Sequence, residues 1–307
     1  MTTYFVNDLV HCGGKSIRSF MKSFSIRDLE NLSGIKTHTI RMWEKRYHLF
    51  LPLRNKGNFR YYSFDQLKYL LDLVLLIKYG FKISRIAKLD TTDLKQAVDS
   101  LVNCEQRQSK SIHSLICLML SSDIEEFEAL LDDCILSWGI DKTIAQVIIP
   151  FLEKTGILSY SDSSSEVHFV VTAIRKKIIL GIEKLNPSQK VEKTALLFLP
   201  QNEHYDLLLL YMSYLLGCCG LKVLYLGTNI SIENLRIVLQ TKKPDYLYTY
   251  IPQKTKFKTI HLLDCLKEHL PEAKLFIAGS NNFGKTSMVN NVKFIHYKDV
   301  AASLGEC

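Results

Sequence analysis

The segment FSIRDLENLSGIKTHTIRMWEKRY, Phe24 to Tyr47, constrains the fold of this chain more than any other stretch. Apolar residues recur at helical spacing in its first part: Ile26, Leu29 and Leu32. Ser25 stands just before them and is a typical N-cap residue. Gly34 accepts the backbone angles of a sharp turn, so the pattern predicts that a first helix ends at Ser33-Gly34.

A second helix is predicted from about Thr37. Its spacing turns Ile40 and Trp43 toward a core and leaves a basic outer face. The residues of that outer face are Lys36, His38, Thr39, Arg41, Lys45 and Arg46. A short helix that braces a basic helix across a glycine turn is the geometry of a helix-turn-helix, whose second helix enters the major groove of DNA.

A hairpin is predicted directly after these helices. Pro52 is expected to end the helical region, and RNKGNFRYY, Arg54 to Tyr62, has turn residues at 55–58 with Phe59 and Tyr61 on one side. Basic residues on such a wing can reach phosphates or the minor groove: Arg54, Lys56 and Arg60. Ser63 is predicted to cap a helix that Gly80 closes, and Ser84 to cap a short helix after it.

The order of these motifs over residues 24–89 resembles the N-terminal DNA-binding domain of MerR-family transcription regulators. The matching patterns are I-x-x-L-x-x-x-S-G-I, T-I-R-x-W-E, P-x-R-x-x-x-x-x-R-x-Y-S and G-F-x-I-x-x-I, which are weak singly and strong together. The resemblance implies DNA contacts by Arg41, Trp43, Arg54, Arg60 and Tyr62. The full predicted DNA-binding set is Lys36, Thr37, His38, Arg41, Trp43, Arg54, Lys56, Arg60 and Tyr62. The alternative is a solvated basic face on a small helical domain.

The positive charge of the chain is concentrated in residues 22–60, which are called the head below. The 307 residues carry a net charge of +8, and Lys22–Arg60 alone holds nine Lys and Arg against three Asp and Glu. Local basicity is expected of a nucleic-acid module, and the length allows two or three domains. Eight cysteines without a C-x-x-C pair, and no histidine pairs at zinc spacing, predict reduced thiols in a cytoplasmic protein and no structural metal.

The ends of the chain give weaker expectations. Residues 1–23 form an N-terminal extension without periodicity. Met21 is then the expected natural start, and a disordered tail is the alternative. The start lacks a signal-peptide pattern, and the apolar run Leu207–Leu216 is too short to cross a bilayer. No membrane association is therefore predicted.

Residues 92–187 repeat apolar positions at helical spacing and predict a four- or five-helix bundle. The run F-L-E-K-x-G-I-L at 151–158 and the pair His168-Phe169 resemble the helical cap before cobalamin-binding domains in a MerR subfamily that includes light-sensing repressors. Two positions depart from that cap: Ser159 stands where Trp is usual, and Val167 where Glu is usual. His168 is therefore either a hydrogen-bonded bundle histidine or a ligand contact.

Residues 188–307 alternate strands and helices. Five apolar runs predict parallel strands: TALLFLP, KVLYLG, DYLYTYI, KLFIAGS and VKFIHY. Helices are expected at 205–218, after Ser231 and at 258–269. The pattern predicts a doubly wound, flavodoxin-like sheet, so the whole chain is a multidomain α plus α/β protein. A ligand would lie at the carboxyl ends of the strands, beside the loops after Leu199, Leu226, Ile251 and Ala278.

The run L-P-Q-N-E-H-Y-D-L-L-L-L resembles the cobalamin-binding domain of the same subfamily, whose first loop carries E-x-H-x-x-G. In that family the His binds cobalt and the Gly leaves room for the nucleotide tail. Here Tyr205 falls at the His and Leu208 at the Gly, and shifting His204 into register puts Leu207 at the Gly. The candidate cofactor residues are His168, Glu203, His204, Tyr205, Thr249 and Gly279. Overpacking by a leucine costs about 1–3 kcal/mol, so His-on cobalamin binding is predicted to be lost.

The sequence therefore predicts a sequence-specific transcription regulator that binds double-stranded DNA as a homodimer or higher oligomer on a palindromic operator. RNA polymerase is a further candidate partner, and the C-terminal module is expected to sense a ligand or hold the oligomer. No catalysis is predicted. Three alternatives stay open: a working adenosylcobalamin-dependent, light-responsive repressor, a corrinoid-carrying enzyme subunit, and a ligand-free interaction scaffold.

Overall fold

The computed structural model describes residues 23–54, 57–157, 165–186, 191–203, 206–250, 273–279, 292–296 and 299–304. The predicted N-terminal extension therefore lies outside the described residues, except for residue 23. The chain divides into two compact units, one that runs to Phe127 and one that begins at Glu128. The predicted helical range 92–187 has residues in both units. None of the described helices is long and apolar enough to cross a membrane.

The helix-turn-helix is present as predicted. Helix α1 spans Ile26–Ser33 and helix α2 spans Thr37–Tyr47. Ser25 caps α1 in a capping box with Asp28, so two backbone N–H groups at the helix start have partners. Gly34 adopts a φ of +76°, which a residue with a side chain rarely accepts, and its N–H bonds back to Glu30. Helix α2 ends at Tyr47 rather than at Pro52, because His48 takes a left-handed C-cap conformation.

The predicted wing is also present, within a three-stranded antiparallel sheet. Its strands are β1, Phe24–Ser25, β2, Leu53–Arg54, and β3, Arg60–Tyr62, in the order β1-β3-β2. The pairing of β2 with β3 confirms the hairpin. The strand β1 was not predicted; it pairs with β3 and places Phe24 opposite Tyr62.

Four helices complete the first unit, and the last three of them contact the first. They are α3, Phe64–Lys78, α4, Ile83–Ile86, α5, Thr91–Asp99, and α6, Cys104–Ser121. Ser63 caps α3 in a capping box with Gln66, as predicted. The predicted cap of α4 is wrong: Ser84 lies inside the helix, and Lys82 stands at the N-cap without a side-chain hydrogen bond. Helices α5 and α6 contact α3, and a core cluster joins α3 to α4 and α5.

Helical structure continues through the predicted middle segment. Helix α7, Ile124–Trp138, spans the boundary between the units and is followed by α8, Ile140–Thr143. One π-helical segment, Ile144–Ile148, leads into α9, Ile149–Thr155. After residues outside the described part comes α10, Ser165–Glu183. In the second unit, Lys176 and Lys177 of α10 pair with Glu128 and Asp132 of α7 at 3.0 and 2.6 Å.

The predicted five-stranded parallel sheet is confirmed. Its strands are β4, Thr194–Pro200, β5, Lys222–Ile230, β6, Tyr246–Tyr250, β7, Lys274–Gly279, and β8, Val292–His296. They are ordered β5-β4-β6-β7-β8, the order of flavodoxin-like folds. Strand β5 continues to Ile230, past the loop predicted after Leu226, because its pairing with β4 resumes after a bulge. The helix predicted at 258–269 lies outside the described residues.

Helices cover the two faces of this sheet. Helix α11 is Leu207–Cys218 and helix α12 is Ile232–Lys242, capped by Ser231 as predicted. The chain moves from β4 to β5 in one direction and from β5 to β6 in the other, so right-handed crossovers place α11 and α12 on opposite faces. Residues of α12 pack into a core with alternate residues of β4, β6 and β7: Leu196, Phe198, Leu235, Leu239, Leu247, Leu275 and Ile277.

Candidate nucleic-acid interface and cofactor site

The inner and outer faces of α2 differ as the sequence predicted. Ile40 is completely buried and Trp43 is 7% exposed, which fixes the inner side of the helix. The outer side exposes His38, Arg41, Met42, Lys45 and Arg46. Thr37 and Thr39 are half-buried. The exposed residues give α2 a basic surface on a helix that is anchored by its opposite side.

The start of α2 is held by Glu30 of α1. The Glu30 carboxylate lies 3.1 Å from the Nζ of Lys36 and accepts a hydrogen bond of 3.4 Å from the backbone N–H of Thr37. The hydrogen bond from Lys36 is the main reason that the pKa of Glu30 lies below its usual value. Lys36 is itself exposed, so its ammonium group stays accessible to a ligand in solvent.

Glu44 joins α2 to the wing. The Tyr62 hydroxyl donates a hydrogen bond of 2.5 Å to Glu44 Oε1, and Arg60 Nε lies 3.6 Å from Glu44 Oε2. Burial is the first cause that raises the pKa of Tyr62, and its bond to the carboxylate adds to it. Arg54 donates a hydrogen bond of 2.6 Å to Asn58, whose backbone has a positive φ. The predicted wing residue Lys56 lies outside the described residues.

The predicted cofactor residues are spread over the second unit. His168 is exposed on α10, Glu203 follows β4, and Gly279 is the last residue of β7. His204 and Tyr205 lie outside the described residues. The backbone carbonyl of Glu203 accepts a hydrogen bond of 3.0 Å from the backbone N–H of Asn229, and this bond fixes the position of Glu203.

Thr249 is completely buried, and its Oγ1 has no hydrogen-bond partner in the described part of the chain. It pairs in register with Phe198 on one side and Ile277 on the other, and both belong to the core against α12. Side chains alternate between the faces of a strand, so Thr249 points to the α12 face. Its neighbours Tyr248 and Tyr250 point to the α11 face, and both are buried.

Apolar side chains fill the start of α11. Leu207 and Leu208 are 5% and 3% exposed, and Tyr248 stacks on Phe276 with ring centroids 4.7 Å apart. The Tyr248 hydroxyl is bonded to Ser303 at 3.0 Å.

Within the described ranges, no group of three or more His, Cys, Asp or Glu side chains could hold a metal ion.

A cluster of charged and polar side chains that the sequence did not predict surrounds Asp206, the residue directly before α11. Arg175 of α10 donates from Nε and Nη2 to Asp206 Oδ1 at 3.1 and 2.6 Å. The Tyr225 side chain of β5 lies near enough to Asp206 for the carboxylate to act on its pKa. Burial, followed by the charge of Asp206, raises the Tyr225 pKa above its ordinary value. These three residues, the clasp, connect α10, α11 and β5 within the second unit.

Comparison with known proteins agrees with the geometry of the head. Residues 24–92 match the family of MerR HTH family regulatory proteins. These residues are a MerR-type helix-turn-helix domain. Over a longer range the chain is similar to two repressors of Myxococcus xanthus. It is 25% identical over 222 residues to the HTH-type transcriptional repressor CarA, a match that covers 72% of this chain and 73% of CarA. It is 23% identical over 234 residues to the repressor CarH, covering 74% and 78%.

A solved structure shares its fold with a large part of the chain. The monomethylamine corrinoid protein of Methanosarcina barkeri aligns with a TM-score of 0.50 at 14% identity. The alignment covers 63% of this chain and 96% of that protein. At this identity the likeness shows a common fold and carries no ligand with it.

Two residues of the predicted DNA-binding set lie in the core of the MerR domain. Trp43 is nearly buried and Tyr62 is completely buried, so neither ring is placed to touch a duplex directly. Trp43 sits on the inner side of α2, and Tyr62 binds Glu44 of the same helix. The predicted direct contacts of these two residues are therefore corrected: the two side chains pack and position α2.

The prediction missed an exposed apolar residue on the outer face of α2. Met42 lies on the outer face of α2 and is 49% exposed. A signal was available in the sequence, because Ile40 and Trp43 were both predicted to face the core. The residue between them that follows Arg41 must then point outward on a helix of 3.6 residues per turn.

Proposed function

We propose that the protein is a DNA-binding transcription regulator whose MerR domain places α2 in the major groove and the wing beside it. The observation that carries this proposal is the exposed basic face of α2, held by the buried Ile40 and Trp43. The similarity to CarA and CarH, both named as transcriptional repressors, supports the same class of function. The protein would act in the cytoplasm, where the duplex is, without catalysing a reaction.

The roles of individual side chains follow from where they stand. Arg41 and His38 on α2, with Lys36 at its start, are the candidates for base edges, since α2 presents them outward. Thr37, half-buried at the first turn, is a candidate for a hydroxyl contact to phosphate. Wing residues are the candidates for phosphate contacts: Arg54, Lys56 and Arg60.

The wing and α2 would bind as one body. Glu44 contacts both Tyr62 and Arg60 across 2.5 and 3.6 Å, so β3 and α2 share an anchor. One recognition helix reads only a few base pairs, and a homodimer or higher oligomer on a palindrome would supply the remaining specificity. RNA polymerase is a further proposed partner of such a complex.

A duplex selection from a random library, with the full chain at low salt, tests this proposal. The expected result is an enriched sequence with two related half-sites. The variant Arg41→Ala should lose affinity for that sequence, whereas Lys242→Ala should not, because Lys242 lies on α12 of the second unit. If the chain binds no duplex even at low ionic strength, the proposed function is wrong.

We also propose that the sheet module does not hold cobalamin with a histidine on the cobalt. Leu207 and Leu208 are packed at the start of α11, and the Tyr250 ring fills the α11 face of the sheet. The small polar side chain of Thr249 points to the opposite face. These residues do not fit a nucleotide tail beside the sheet, and overpacking of about 1–3 kcal/mol or more opposes its entry.

The clasp supports the same conclusion. Asp206, at the end of the first loop, accepts two hydrogen bonds from Arg175 and lies near Tyr225. Moving the loop aside would break charge-assisted bonds as well as apolar packing. The module would then assemble subunits or bind another ligand.

Reconstitution with cobalamin decides between the proposed module, which does not hold cobalamin, and a working adenosylcobalamin-dependent repressor. The purified chain is incubated in the dark with adenosylcobalamin, and separately with hydroxocobalamin, and then passed through gel filtration. The expected protein peak is colourless. A corrin absorption band that comigrates with the protein at one per chain would restore the adenosylcobalamin-dependent repressor as the correct function.

A further inference from the structure

The exposed face of α2 has a defined centre. Successive residues of an α-helix are rotated by about 100°, and the buried Ile40 and Trp43 fix the inner side. The direction opposite to them is occupied by His38 and Lys45, with Arg41 and Met42 about 50° to either side of it, and all four are exposed. Arg46 is also exposed and stands at the edge of this outer strip, on the side of Met42.

Met42 is the apolar member of that strip. Its side chain is 49% exposed, although Ile40 and Trp43 on the same helix are almost fully buried. Its neighbours on the exposed face are basic, and Arg46 is held with its guanidinium 5.4 Å from the centre of the Tyr47 ring. An unbranched thioether in a ring of positive charge fits a partner that is acidic overall and apolar at one point.

Double-stranded DNA has that combination in its major groove. The phosphates on both sides carry the negative charge, and the base edges between them are polar except for the 5-methyl group of thymine. With α2 in the groove, Arg46 would face one of its walls, while the outer strip of His38, Arg41, Met42 and Lys45 would face its floor.

We infer that Met42 is a specificity-determining residue of the DNA-binding surface and contacts the 5-methyl group of a thymine in each half-site. This inference rests on the proposed DNA-binding function and deepens it. The thioether has three rotatable bonds and can adjust to the position of the methyl group without moving the helix. His38 and Lys45 beside it supply the polar contacts to neighbouring base edges.

The test uses the full chain and the duplex obtained from the selection described above. Each thymine of that duplex is replaced in turn by deoxyuridine, which removes the 5-methyl group and leaves the base pair intact. For the wild-type chain, substitution of one thymine per half-site should weaken binding about fourfold, the effect of removing one methyl group from an apolar contact. The same measurement is made with Met42→Ala, Met42→Leu and Lys45→Ala.

Sensitivity to that one deoxyuridine should disappear in Met42→Ala. It should be kept in Met42→Leu, which restores an apolar side chain of similar size. Lys45→Ala should bind more weakly on every duplex of this set but keep the deoxyuridine effect, which shows that the effect belongs to Met42 and does not follow from the loss of any outer side chain of α2. The inference is overturned if wild type and Met42→Ala respond equally to every deoxyuridine. An absence of any selected duplex would instead overturn the proposed function itself.

Discussion

The hydroxyl of Tyr62 donates a hydrogen bond of 2.5 Å to Glu44, and the two residues lie eighteen positions apart on the wing and the recognition helix. The Tyr62 ring is completely buried, and Arg60 Nε lies 3.6 Å from the second carboxylate oxygen. Arg60 Nε is buried too and makes no hydrogen bond within the described residues, so Glu44 is its nearest counter-charge. This contact makes the orientation of the wing depend on α2.

Replacing Tyr62 by Phe should destabilise the MerR domain by about 1.5–3 kcal/mol, because a buried hydrogen bond to a charged acceptor is lost and the shape is retained. Urea unfolding measured by tryptophan fluorescence checks this. The chain has two tryptophans, so a Trp138→Phe background leaves Trp43 as the reporter of this domain. Tyr61→Phe, on the same strand but half-buried, is the control. Equal urea midpoints for the two variants would contradict the importance of the Glu44 bond.

Asp72 gives the first unit a pH-dependent stability. Its Oδ1 lies 3.4 Å from His113 Nδ1, and burial raises the pKa of Asp72 from 3.8 to about 6. Three further charges act on it: Lys68 and Lys110 lower the pKa, and Asp99 raises it. A folded-state pKa above the unfolded value means that the folded state binds the proton more tightly. The stabilisation that protonated Asp72 gives to the folded state is therefore fully present below about pH 4. It decreases as the pH rises and is lost above about pH 6.

The variant Asp72→Asn should remove the loss of stability that the ionisation of Asp72 causes as the pH rises. Relative to wild type, its free energy of unfolding should rise between pH 4 and pH 6 by at most about 3 kcal/mol, at about 1.4 kcal/mol per pH unit. Urea unfolding at pH 4, 5, 6 and 7 measures the difference. Glu30→Gln is the control of opposite sign, because the bond from Lys36 lowers the pKa of Glu30 and Glu30 does not act on Asp72. A pH-independent difference for Asp72→Asn would show that this carboxyl titrates normally.

Arg175 of the clasp and the adjacent Lys176 offer a matched pair of variants on α10. Arg175 makes two close contacts to the largely buried Asp206, whereas the adjacent Lys176 pairs with Glu128 in solvent. Arg175→Ala should lower the stability of the second unit by about 1–3 kcal/mol, since the Asp206 carboxylate loses its charged partner. Lys176→Ala should cost less than about 1 kcal/mol, as exposed ion pairs do. Differential scanning calorimetry compares them, and equal transition temperatures would contradict the assigned strength of the clasp.

Local signals were sufficient to predict much of the fold. Ser25, Gly34 and Ser63 determine helix ends through contacts within four residues, so their sequence neighbourhood contains the whole interaction. Continuous apolar runs likewise predicted the five parallel strands, most clearly β4 and β6, which are buried on both faces. The two-residue strand β1 escaped prediction because it exists only by pairing with β3. Ser84 failed as a cap because Lys82 already begins the turn.

The candidate sites were less predictable, because their geometry depends on contacts between distant residues. The bond between Tyr62 and Glu44 reverses the role that the family resemblance implied for Tyr62, from DNA contact to support. Arg175 and Asp206 are thirty-one positions apart and carry no motif. The face to which Thr249 points follows from strand register, which a single sequence leaves open. Met42 is the opposite case: helical periodicity contained the signal for its outward position, but the prediction did not use it.

Salt dependence separates the two kinds of predicted DNA contact. Arg41 is exposed on α2, so Arg41→Ala should weaken binding to the selected duplex by about 1–3 kcal/mol if the guanidinium reads a base, with a smaller effect on unrelated duplexes. Lys56 belongs to the predicted wing turn. Lys56→Ala should weaken binding to all duplexes similarly and reduce the slope of log affinity against log salt by about one. Gel-shift titrations at several salt concentrations give both quantities, with Lys242→Ala as the charge control. If Arg41→Ala lowers binding equally on every sequence, Arg41 contacts phosphate, and base reading passes to the other residues of α2.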